Sequence, residues 1–243
     1  GLDIPEINVV SVASSVGQAK RIPDILSRRT GAPEDCAIVL PDENLLRSVL
    51  NSIPEDIVDI NVTMGLPMSG SLIYAMMAEI SAIQLHAVLR KGKWFFYHKQ
   101  VWDLFASEIF RNVADERTLE IVSKVKEGAK YYIPQEELNG TRLLDVIFRP
   151  VVTDPKLVSA GQIKDFSEYQ KEVLKVVAPS IADDTSLALE LEYAKEYYKS
   201  INVLQEIGLE VLPITYIRLL GQLLGSISVP FRGEPLRGLQ IMG

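Results

Sequence analysis

The chain has 243 residues, is 47% hydrophobic and 23% charged, and carries a net charge of −7. That balance suits one large globular domain or two small ones, and it excludes collagen-like, low-complexity and disordered chains. Its acidity also removes the overall electrostatic signature of a nucleic-acid-binding module, so any such role would need a local basic patch.

The first predicted element is Ile7–Ala13 (Ile-Asn-Val-Val-Ser-Val-Ala), a short β-branched run that reads as a strand. Ser14 and Ser15 can cap a following helix to about Arg28, which Pro23 bends or splits. Cys36–Leu40 is a second continuous apolar run, the pattern of a strand buried on both faces. Asp42 can cap a helix with Leu45, Leu46, Val49 and Leu50 on one side, and Ile57–Met64 supplies a third strand. A β-α-β-α-β order implies parallel strands joined by right-handed crossovers.

After Gly65-Leu-Pro67 the apolar period becomes helical. Leu72, Met76, Ile80 and Ile83 mark one face of a long helix, which the cations of Arg90-Lys-Gly-Lys93 are expected to close. Trp94–Tyr97 is a brief extended aromatic piece, followed by short helices at about 98–111 and 114–127. Tyr131–Ile133 reads as extended, and Leu143–Phe148 fits helix or strand equally. Further helices are predicted over 159–178 and 185–206. The last one opens at Pro213 and is apolar nearly all round, so it should be central and buried. The chain ends Pro-Phe-Arg-Gly-Glu-Pro-Leu-Arg-Gly-Leu-Gln-Ile-Met-Gly243, a turn and then a short apolar strand.

Few motifs carry chemistry. Gly65-Leu-Pro-Met-Ser-Gly70-Ser71 follows a strand and precedes a helix with the glycine spacing of a phosphate-binding loop. Ser71 stands where that loop needs Lys, and Leu72 where it needs the magnesium-binding hydroxyl. A connection between lobes, with Ser69 or Ser71 as helix cap, accounts for it better. Asp154-Pro-Lys156 has the D-x-K spacing of a metal-dependent nuclease, but Pro155 would interrupt a strand ladder, so a turn after Thr153 is expected. The pairs Asp42-Glu43, Glu55-Asp56, Glu136-Glu137 and Asp183-Asp184 fall at predicted helix starts or loops, where capping explains them.

One cysteine, Cys36, allows no internal disulfide, sits in an apolar run and points to a reducing, cytoplasmic compartment. With only His86 and His98 beside it, a zinc site rich in soft ligands is not expected, and neither histidine has a catalytic partner in sequence. No apolar run approaches the ~18–20 residues that span a bilayer, and the first residues lack the basic start of a secretory signal. Basic residues cluster at Lys20-Arg21, Arg28-Arg29, Arg90-Lys91-Lys93, Arg232 and Arg237. Trp94–Tyr97 abuts the third group, and cations beside aromatics can hold phosphates and stack bases. A packed aromatic core with cations lying along it is the competing account. The candidate DNA-contacting residues are Lys20, Arg21, Arg90, Lys91, Lys93 and Trp94.

The α/β segments resemble one family. Ile7–Leu26, Ala37–Leu46 and Asp59–Gly65 are similar to strand–helix units of the second motor lobe of superfamily 1 helicases, and Leu236–Gly243 resembles the strand that re-enters that lobe. The match is to AddB-like helicase–nuclease subunits, including branches described as PD-(D/E)XK nuclease family proteins or inactivated helicases. The resemblance implies a parallel RecA-like (P-loop NTPase-like) partial lobe over 1–68 and 230–243, interrupted by a mainly helical insertion over 69–229. It implies an internal fragment without catalytic, metal or cofactor-binding residues of its own, ATP and magnesium being used elsewhere in the parent. Implied partners are DNA and a second helicase–nuclease subunit, with no membrane. Two other classes remain open: a small α/β enzyme or nucleotide-binding domain using Gly65–Ser71, and a protein-interaction module.

Overall fold

The computed structural model describes residues 7–28, 31–57, 59–183, 187–230 and 238–243. In chain order these form α1 (Ser15–Ala19), α2 (Ile22–Leu26), β1 (Ala37–Val39), α3 (Leu46–Leu50), β2 (Ile60–Val62), β3 (Gly65–Pro67), α4 (Leu72–Leu85), β4 (Val88–Arg90) and β5 (Lys93–Tyr97). There follow α5 (His98–Ala106), α6 (Glu108–Val113), α7 (Glu116–Glu127), β6 (Tyr132–Pro134), α8 (Arg142–Ile147), α9 (Ala160–Ala182), α10 (Ala188–Ile207), α11 (Pro213–Gly225), β7 (Ser228–Pro230) and β8 (Leu239–Met242). The chain divides into two compact units, 1–66 with 230–243, and 67–229. Among the described residues no helix is long and apolar enough to cross a membrane.

The first unit is a mixed α/β structure around a three-stranded parallel sheet of order β1-β8-β2. Ile241 lies opposite Ile38 on one side and Val62 on the other, so the last strand is the middle one. Leu26, Ile57 and Leu239 form one buried cluster, with Ile22, Cys36, Ile38, Ile53 and Ile60 packed on it. The helix expected after Ser14 is split: Ser14 Oγ caps α1 by accepting from the Gly17 N–H, and Pro23 sits in the first turn of α2. Residues 7–13 form no strand, contrary to the prediction, and Ile7 and Val9 are 81% and 90% exposed. A β-branched run expresses its propensity only where cross-strand packing and burial reward it. β1 likewise is not buried on both faces. Among the described residues it pairs with β8 alone, and Val39 is exposed.

The second unit is built around α4. Its buried side chains, Ile73, Met76, Met77, Ile80, Ser81, Ile83 and Gln84, point to several sides rather than to one stripe. α5, α6, α10 and α11 all pack against it. α9, the longest helix, packs on α8 and α10. It runs one turn past its predicted end, through Pro179, whose carbonyl accepts from the Asp183 N–H. Asp183 therefore stands at a helix C-terminus and not at a start, and Asp184 lies outside the described residues.

Three further expectations are corrected. α11 is not central: it buries Pro213, Tyr216, Leu220 and Leu224 along one face, while Ile214 is exposed. Leu and Ile on its other positions are partly covered, so composition overstated its burial. α4 ends at Leu85 with His86 as cap, and Arg90–Lys93 do not close it. They form a β-hairpin instead, in which Lys91 and Gly92 have φ of +50° and +76°, the pattern of a two-residue primed turn. The stretch 98–111 breaks at Ser107, which ends α5 and caps α6 through the Phe110 N–H. Leu143–Phe148 resolves as helix α8 and its cap.

Candidate nucleic-acid interface

The glycine loop between β3 and α4 is occupied by the protein's own groups. Ser71 caps α4, its Oγ accepting from the Tyr74 N–H at 2.9 Å. The buried Glu190 of α10 places Oε2 3.0 Å from the Ile73 N–H. An anion bound at a helix N-terminus satisfies free N–H groups and the positive end of the helix dipole. Here a carboxylate from the same chain already does this, so the first turn of α4 offers no vacant phosphate cradle.

The D-x-K stretch is a turn. Asp154 Oδ1 accepts from the Lys156 N–H at 2.9 Å, and Gln162 holds the turn from α9. Its Oε1 accepts from the N–H groups of Thr153 and Asp154, and its Nε2 donates to the Asp154 carbonyl. Among the described residues no group of His, Cys, Asp and Glu could hold a metal ion.

The basic candidates divide between the two units. Lys20 and Arg21 follow α1, both exposed, and Arg21 pairs with Asp24 at 2.9 Å. Arg28 is exposed, while Arg29, Arg232 and Arg237 lie outside the described residues. Arg90, Lys91, Lys93 and Trp94 belong to a three-stranded antiparallel sheet of order β4-β5-β6. Alternation along β5 assigns its two faces. Trp94 and Phe96 share one side with Ile133. Phe96 and Ile133 are fully buried, and Phe96 packs edge-on against Phe148 at 5.3 Å, so this side meets the core. Trp94 is half-buried on it, opposite the exposed Leu89.

The other side carries Arg90, Lys93, Phe95, Tyr97 and Tyr132, each exposed or half-buried. The Arg90 guanidinium lies 4.2 Å above the Tyr132 ring centre. Lys93 pairs with Glu136 at 2.8 Å, and the neighbouring Lys130 pairs with Glu137. Exposed pairs of this kind contribute little to stability, about 0–1 kcal/mol, but they do neutralise local charge. Arg90 and Lys91 have no carboxylate partner among the described residues. From the aromatic run Trp94–Tyr97 the sequence singled out Trp94 alone, and it gave no sign of Tyr132. Alternation could have separated Tyr97 from Phe96, whereas Tyr132 joins the face only through the β5–β6 register.

No protein-family model and no curated protein matches the chain.

Proposed function

We propose that these residues form a non-catalytic part of an AddB-like helicase–nuclease that processes DNA breaks. The first unit would be a partial RecA-like lobe, and the second a helical insertion that supports a DNA channel. The observation that carries this reading is the placement of β8. The chain leaves one parallel sheet after β2, forms the 67–229 unit, and returns as the strand between β1 and β2. An α/β lobe interrupted in this way is the arrangement that the resemblance implies. The exposed apolar Ile7, Val9, Val10 and Val39 favour contacts with a partner subunit, and the Arg90–Lys91 hairpin beside aromatic rings favours contact with DNA. ATP and magnesium would act elsewhere in the parent.

A nucleotide-binding enzyme built on Gly65–Ser71 is the weaker reading, because Glu190 already fills the anion-binding position at α4. The proposal is tested by titrating the purified chain into fluorescently labelled duplex DNA with a single-stranded tail. Binding in the roughly 10⁻⁶–10⁻⁴ M range, weakening as salt rises, is expected, with no ATP hydrolysis and no magnesium-dependent cleavage. Failure to bind DNA of any form at low salt, or robust cleavage by the chain itself, would overturn it.

A further inference from the structure

A ladder of planar groups in mutual contact starts on the outer face of the β4-β5-β6 sheet and runs on past the ends of β5 and β6. It begins with the Arg90 guanidinium above Tyr132. Tyr132 and Tyr97 follow at 5.7 Å between ring centres, Tyr97 and His98 at 4.6 Å, and His98 and Tyr131 at 4.7 Å. Strand register creates the first ring contact, since Tyr97 lies opposite Tyr132. The last follows from the start of α5, where the His98 N–H and Nδ1 both meet the Tyr131 carbonyl. Neighbouring rings stand at 51° to 75° to one another, so edge contacts hold each in place without covering it by face-to-face stacking. Tyr131 is 73% exposed, and Tyr97, His98 and Tyr132 are half-buried. Aromatic side chains serving only the core would be covered, as Phe96 is.

Resting on the DNA-processing reading, we propose that this ladder is a stacking platform for single-stranded nucleic acid. Tyr131, Tyr97 and the Arg90–Tyr132 pair receive base faces, and Arg90 and Lys91 meet the phosphates. Only unstacked bases can lay their faces on protein rings, which selects a single strand over a duplex. The charge pattern agrees. Lys93 and Lys130 are held by Glu136 and Glu137, whereas Arg90 and Lys91, without a carboxylate partner among the described residues, stand at the hairpin tip, where the exposed Lys91 occupies the turn. With about two phosphate contacts, the platform depends on stacking more than on charge, and the salt dependence of single-strand binding is shallow, with a slope of about −1.4.

The test uses the whole chain and an oligothymidylate of about 15 nucleotides, within the site sizes such platforms cover. Binding is followed by anisotropy beside a duplex of the same length. Tyr131→Ala should weaken the single-strand complex about tenfold and leave duplex binding unchanged, while Tyr131→Phe retains the affinity. Lys91→Asn suits the primed turn, so the hairpin keeps its shape, and should reduce the magnitude of the salt slope by about 0.7. Arg90→Ala should add to the loss from Tyr131→Ala. If the wild-type chain binds tailed DNA but these variants bind oligothymidylate equally well, the platform is overturned and the DNA-processing reading stands. If the wild-type chain binds no DNA, both fall.

Discussion

Gly238 sets the entry into the central strand. Its φ is +76°, and a Cβ there would lie 1.8 Å from the Asp59 carbonyl oxygen. That carbonyl cannot easily withdraw, because it accepts from the Leu239 N–H at 2.9 Å at the start of the β2–β8 ladder. Gly238→Ala should therefore cost at least about 2 kcal/mol, read as a fall in the urea midpoint, and an unchanged midpoint would refute the close approach. Gln84 plays a comparable part in the second unit. Fully buried, it donates from Nε2 to the carbonyls of Ile147 and Arg149 and to the Tyr169 hydroxyl, and its Oε1 accepts from the Val151 N–H. Leucine would fill nearly the same volume but strand these groups, so Gln84→Leu should lose about 3 kcal/mol by denaturant titration. Neither role was legible in the sequence. A glycine in a turn-like stretch and a glutamine beside Ile83 look ordinary until the partner backbone is in place.

At the scale of elements, α4 and α11 show how the spread of apolar residues round a helix separates a central helix from a flanking one. α11 places Arg218 and Gln222 on its exposed side and lies along one flank, whereas α4, the more uniformly apolar of the two, is surrounded and accommodates buried Ser81 and Gln84. Hydrogen bonds make that possible: Gln170 of α9 donates to Ser81 Oγ, and the Tyr216 hydroxyl of α11 donates to Gln170. These polar side chains tie three helices together, so a buried position need not be apolar. The N-terminus of α4 is secured in the same way by Glu190. Glu190→Ala is expected to remove the bond to the Ile73 N–H and its favourable dipole interaction, costing about 2 kcal/mol. Melting experiments would measure this, and a variant as stable as the parent would show that the carboxylate is not needed there. The hairpin of β4 and β5 escaped prediction because a Lys in a primed turn carries a weaker signal than Asn-Gly or Gly-Gly.

Over the whole molecule, the buried tyrosines set its response to alkali. Burial raises the phenols of Tyr169 and Tyr197 far above their ordinary range and pushes Tyr216 up to about 12. The folded state thus favours the neutral phenol. This stabilisation is complete below the unfolded value near 10 and is lost as pH rises through the folded values. Unfolding is expected to begin between about pH 10 and 12. Three of the nine tyrosines should then ionise together with the loss of helical circular dichroism. Full phenolate absorbance with the helices intact would contradict this. The sequence by itself determined the alternation of apolar runs, the change of period after Gly65, the Pro23 break, a serine cap at 14–15 and at 69 or 71, and the strand character of Leu239–Met242, because each rests on neighbours within a few positions. Only the tertiary structure decided that β8 lies between β1 and β2, that residues 7–13 stay unsheeted, that α11 is covered along one face, and that Arg90, Tyr132, Tyr97, His98 and Tyr131 join in one chain of contacts. Those outcomes depend on pairing and packing between distant segments, whose energies no local pattern contains.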